Sequence, residues 1–193
     1  RSLRPMDEFI LVLMRLWLGL LLQDLAERFH ISKATSSDIT NSWISYLSEK
    51  LCFLISWPMR ALVNNKCMPH KFKKKYSSCR VIIDCTEIYT ETPQSLAIKS
   101  LMYSNDKSHM TYKTLIGISP SGMVTFASDL WAGSISFKQL TQASRILEKC
   151  EIRDAIMADK GFLISNQATP RGIKLIIPPM KFQRFNRCQV EET

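Results

Sequence analysis

The stretch Arg80–Glu91, RVIIDCTEIYTE, decides the fold. Val81, Ile82 and Ile83 form an unbroken β-branched run, which reads as a strand buried on both faces of a sheet. The run ends on Asp84, and a carboxylate there is costly to bury unless a cation meets it. By itself Asp84 reads first as the end of the strand and the cap of a turn. A second stretch, Asp154–Phe162, DAIMADKGF, has the same form: a short apolar strand ending on Asp159, followed at once by Lys160 and Gly161. Two such strands, each delivering an Asp at its C-terminal end, predict one oxygen-rich site, because open α/β sheets place their sites at strand ends. Two hard carboxylates with no accompanying His or Cys pattern select Mg²⁺ or Mn²⁺ over zinc.

Working outward, Tyr112–Ile118 and Met123–Ala127 read as two strands of a hairpin joined by SPSG. Trp131–Ser136 reads as a loop, Phe137–Cys150 as an amphipathic helix, and Ile173–Ile177 as a last strand stopped by Pro178 and Pro179. Residues 94–111 show no clear period; Lys99, Lys107, His109 and Lys113 make this region basic, and His109, without an evident partner, reads as structural. The order of strand with Asp, hairpin strands, helix, strand with Asp and strand predicts an α/β, ribonuclease-H-like mixed sheet with flanking helices. In that topology the first and fourth strands are neighbours, so Asp84 and Asp159 converge. Metal ions held there would serve phosphodiester cleavage.

The N-terminal region is helical. Pro5 suits a first turn, and Asp7 and Glu8 sit where the helix dipole favours negative charge. Phe9, Leu13, Leu16, Trp17 and Leu20 recur at helical spacing up to Gly19 and beyond; Leu22–Phe29 reads as a second helix; Ser32 caps a third that runs to about Glu49. Helix, short turn and a helix opening at Ser32 is the spacing of a helix-turn-helix, although helical bundles contain the same corner. As a DNA reader, it would present Lys33, Thr35, Ser36 and Ser37 to the major groove, with Asp38 repelling phosphate. The expected organisation is a helix-turn-helix domain over 1–60, a basic linker over 61–79 and a sheet domain over 80–193. The linker's Lys71, Lys73, Lys74 and Lys75, interleaved with Phe72 and Tyr76, read as a phosphate-contacting patch, a solvated charge run or a nuclear-import signal.

Composition agrees with a globular, DNA-associated protein. The chain has 193 residues, 46% hydrophobic and 22% charged, with a formal charge of +9, which favours a polyanionic partner such as nucleic acid. Basic residues Arg171, Lys174, Lys181, Arg184 and Arg187 dominate its end. The six cysteines at 52, 67, 79, 85, 150 and 188 form no C-x-x-C pair, so they read as reduced thiols rather than a zinc site. The apolar stretch Phe9–Leu22 is about 14 residues and carries Arg15, short of the roughly 20 residues a spanning helix needs.

Several segments, in order, resemble the PIF/Harbinger-type DDE transposases, particularly animal copies whose catalytic region opens with IDCTE. They are LMRLWLGLLLQDLAERFHIS, WISYLSEKL, IIDCTEIYTETP, SNDKSHMTYKTLIGISPSG, WAGSIS and MADKGF. The resemblance implies a helix-turn-helix followed by a ribonuclease-H-like nuclease domain that cuts double-stranded DNA in the nucleus with divalent metal. It implies that Asp84 and Asp159 are the first two acids of the DDE triad. The family's third acid is a Glu beyond a stretch like CQVEET, so the expectation is a fragment cut before it, Glu191 and Glu192 being too early. Phe137 stands where the family often has Asp, and Ser36 and Asp38 where it has an apolar and a basic residue. The alternative expectation is a non-enzymatic DNA-binding protein on the same fold, acting as a homo-oligomer or with a separate DNA-binding partner.

Overall fold

The computed structural model describes residues 3–65 and 68–178, which fall into two compact units dividing between Ser56 and Trp57. In the first unit, α1 (Pro5–Leu18) opens on Pro5 and closes at Gly19, whose φ of 67° lets its N–H return to the Arg15 carbonyl. α2 (Leu22–Phe29) ends at His30, itself left-handed, and α3 (Lys33–Leu51) begins where the Ser32 Oγ accepts the Thr35 N–H at 3.0 Å. Leu11, Val12 and Leu25 are fully buried at the centre, with Phe29, Ile39, Trp43 and Leu47 packed around them. Fully burying such side chains contributes about 1.5–3 kcal/mol each, far more than helix propensity supplies. No helix among the described residues is long and apolar enough to cross a membrane.

The second unit opens with α4 (Arg60–Asn65) and α5 (His70–Lys75), so the stretch read as a linker carries two short helices. There follow β1 (Cys79–Tyr89), α6 (Leu96–Met102), β2 (Tyr103–Ser104), β3 (His109–Ile118), β4 (Val124–Ala127) and β5 (Trp131–Ala132). α7 (Phe137–Ala143), β6 (Ala155–Ala158), α8 (Ser165–Ala168) and β7 (Lys174–Ile176) complete it. The strands form one mixed sheet in the order β2-β3-β1-β6-β7, with β4 and β5 also on β3. β3 runs antiparallel to β1, while β6 runs parallel to β1 and β7 to β6. The first strand therefore lies beside the strand that precedes Asp159, the ribonuclease-H-like order expected from the sequence. Val81, Ile83, Leu115, Leu140, Ile156 and Phe162 lie at the heart of its core.

Other elements also differ from the sequence expectation, among them Trp131–Ser136, read as a loop, which opens with β5. β1 does not end at Asp84; it continues to Tyr89, because the β3 ladder runs on from Asp84↔Ile116 to Tyr89↔Thr111. Residues 94–111, aperiodic in sequence, hold α6 and β2. The expected helix over 137–150 breaks: α7 ends at Ala143, Arg145 takes a φ of 56°, and a 3-10 turn, Ile146–Lys149, carries Ile146 and Leu147 into the core.

Candidate functional site

Asp84 lies in the middle of β1, at the point where one neighbour stops and the other continues. The last pair of the parallel β1/β6 ladder is Ile83↔Ala158; Asp84 follows within β1, and Asp159 is the first residue past the end of β6. Ile83 belongs to the core, so side-chain alternation turns Asp84 to the other face of β1, and both Asp84 and Asp159 are exposed. The Asp84 Oδ1 accepts the Cys85 N–H at 2.7 Å, and the Asp159 carbonyl accepts the Phe162 N–H at 3.1 Å, closing the turn through Lys160 and Gly161. That turn rests on Phe137: a Cβ at Gly161 would lie 2.9 Å from its ring, which stacks on Phe162 at 4.9 Å. Among the described residues neither aspartate forms an ion pair, so both carboxylates are open to a cation.

The donor set tests what could bind. Among the described residues no group of three or more His, Cys, Asp or Glu gathers at one point, so a closed zinc site does not fit. An exposed pair of carboxylates does fit Mg²⁺ or Mn²⁺, hard ions that keep several waters and take one or two carboxylates from the protein. Glu191 and Glu192, with Lys181, Arg184, Arg187, Cys67 and Cys188, lie outside the described residues.

Two charge clusters behind the site were not singled out by sequence reasoning. On the core-facing side of β1, Glu87 pairs across the ladder with Lys113, their charged groups 3.7 Å apart and their side chains almost fully buried. Lys113 also donates to Asp106 at 3.2 Å and to the Ile135 carbonyl at 3.3 Å, and the Thr111 hydroxyl donates to Glu87 at 2.7 Å. The Phe137 ring sits 5.2 Å from the Lys113 ammonium. Cys85 lies in this region, and burial pushes its thiol up to about 11, with Lys113 opposing and Glu87 adding to the rise. At the other end of the sheet Asp154 takes Arg60 at 3.2 Å and Arg80 at 3.7 Å, and Arg80 lies over the Trp57 ring at 5.4 Å. Period-2 patterning carries a signal for the first cluster, since Glu87 and Lys113 are charges on the core-facing phase of their strands; only the β1/β3 register reveals that they meet.

The helical unit places the DNA-facing candidates unevenly. Lys33 is exposed and Ser37 half-buried, while the Thr35 hydroxyl is tied to the Ser32 cap at 2.8 Å. Ser36 is a correction: it is fully buried, on the α3 face that packs toward Leu11 and Leu25, and presents nothing to a groove. Lys71, Lys73, Lys74 and Lys75 are all exposed on α5, where Phe72 and Tyr76 pack together at 5.8 Å. His109 is exposed and edge-on to Tyr89 at 5.1 Å.

Among solved structures, the chain is similar to a Mos1 transposase paired-end complex with left transposon end, at 14% identity, 91% of this chain, 60% of that chain and a TM-score of 0.31. It is also similar to a pre-cleavage Mos1 transpososome, at 12% identity, the same coverages and a TM-score of 0.29. It thus spans 60% of the length of these relatives. No curated protein matches it. Residues 1–53 match the helix-turn-helix of DDE superfamily endonuclease. Residues 83–193, more than half of the chain and the part that brings Asp84 and Asp159 side by side, match the DDE superfamily endonuclease family, and the chain belongs to it.

Proposed function

We propose that the chain is the DNA-cleaving part of a PIF/Harbinger-type transposase, hydrolysing phosphodiester bonds with Mg²⁺ or Mn²⁺ held by Asp84 and Asp159. The observation that carries the reading is the adjacency of the two carboxylates just past the Ile83↔Ala158 pair, exposed and without a protein cation among the described residues. Such an ion, when bound, supplies Lewis-acid stabilisation of the charge that builds on the phosphate. The two strands keep the aspartates in place, since each grows from a buried residue that cannot shift without opening the core, and preorganised ligands cost little reorganisation. Lys160 and the α5 lysines supply cations for the DNA backbone. The lysine run also serves as the nuclear-import signal such an enzyme needs.

The test is calorimetric titration of this chain with Mn²⁺, beside Asp84→Ala and Asp159→Ala. Saturable binding weakened at least about tenfold by either substitution is the expected result. Identical heats for the three proteins would sink the metal site and leave a non-enzymatic DNA-binding protein.

A further inference from the structure

The chain's charge is divided as its fold is. Residues 1–56 carry six Lys/Arg and six Asp/Glu, so the helical unit is formally neutral, and the whole excess of +9 belongs to the second unit. A formally neutral unit adds little net attraction for the phosphates, which govern the sequence-independent, salt-sensitive part of DNA affinity. It can still read bases, because phosphate contacts position a protein while base-edge contacts specify its site.

The side of α3 opposite the packed one has the chemistry for that. Ser36 and Thr40 are buried, and Ile39, Trp43 and Leu47 pack on the core. Half a turn away, Ala34, Asp38, Asn41 and Ser45 stand exposed at the spacing i, i+4, i+7, i+11, which is one face of a helix. Among the described residues, Asp38 and Asn41 make no side-chain hydrogen bond or ion pair. An Asn amide pairs both its groups with adenine N6 and N7, a carboxylate accepts from cytosine N4, and an Ala methyl packs on the thymine methyl. Asp38, a liability against phosphate, is suited to a base edge. No Lys or Arg stands on this face, so it holds nothing that pairs bidentately with guanine.

We infer that the two units divide the work on DNA: the second unit supplies the affinity, and Ala34, Asp38 and Asn41 on α3 supply the sequence preference, toward adenine at Asn41 and cytosine at Asp38. This rests on the DNA-binding reading above and adds which residues select the site.

The experiment is selection from a random duplex pool with the whole chain, followed by anisotropy titrations over a salt series. Wild type is compared with Asn41→Ala, Asp38→Asn and a Lys74→Ala/Lys75→Ala double variant, each checked for unchanged circular dichroism. Asn41→Ala is expected to lose the preference for one adenine, by between about fivefold and a hundredfold, with the salt slope unchanged. Asp38→Asn should relax one cytosine likewise. The double lysine variant should weaken all sequences alike and lower the slope by about 2. A selected motif that is the same in wild type, Asn41→Ala and Asp38→Asn overturns the inference while leaving DNA binding intact. Lack of any duplex retention at low salt overturns the DNA-binding reading itself, and this inference with it.

Discussion

Arg80 and Asp154 show how one pair of residues fixes the end of a strand. Their side chains are 3% and 2% exposed, and the Asp154 carboxylate also accepts the Glu151 N–H at 2.8 Å. Removing Asp154 leaves the buried Arg80 with only the exposed Glu151 at 3.9 Å, and breaking a buried pair in this way costs about 3–5 kcal/mol, whereas replacing both with apolar groups is often neutral. Asp154→Ala is therefore expected to lower the urea midpoint sharply, and Arg80→Met with Asp154→Leu to restore much of it; a double variant weaker than both singles would refute the pairing. The thiols give a second test. Burial pushes Cys79 up to about 11 and Cys150 up to about 12, while Cys52 is exposed. At pH 8 iodoacetamide should label Cys52 in the native chain and spare Cys79, Cys85 and Cys150. Because the folded state holds these thiol protons more tightly than the unfolded chain does, their contribution to stability is whole below pH about 9 and fades as pH rises through about 11–12.

At the scale of elements, β3 organises the sheet, since β1, β2, β4 and β5 all pair with it. The β5 crossing is the tightest: a Cβ at Gly133 would lie 2.4 Å from the Met102 carbonyl and 2.4 Å from the Thr111 hydroxyl oxygen. Thr111 donates to Glu87, so pushing this backbone away also disturbs the buried Glu87–Lys113 pair. Gly133→Ala should cost about 1–3 kcal/mol, read from chemical denaturation, and Gly122→Ala, where open space surrounds the glycine, should act only through its φ of 91°. Equal losses at the two sites, with the same dependence on side-chain size, would show that the Gly133 contact does not matter.

For the whole molecule, the charge division sets how binding responds to salt. Lys71, Lys74 and Lys75 share a side of α5 by their i, i+3, i+4 spacing, whereas Lys73 points the other way. Three phosphate contacts give a slope of about −2.7, so duplex affinity should fall about fortyfold between 50 and 200 mM salt. Affinity that stays flat across that range would remove the α5 lysines from the interface.

The sequence alone determined the α/β class, the order of the main strands, the capped helix at Ser32 and the ending of two apolar runs on an aspartate. Each is written in local chemistry: β-branched runs, turn residues, and an acid where an apolar run stops. The extension of β1 past Asp84 was hidden, because Cys85–Tyr89 is mixed in polarity and is held as strand by its pairing with β3. The burial of Ser36 was equally hidden, since a serine is compatible with either face of α3 until the packing against α1 and α2 selects one. Tertiary structure alone decided that the β1/β6 ladder stops at Ile83↔Ala158, just short of Asp84 and Asp159, that Glu87 meets Lys113, and that Asn41 rather than Ser36 faces outward. These are relations between distant residues, and only strand register and helix packing, both set by burying the core, bring such residues to one place.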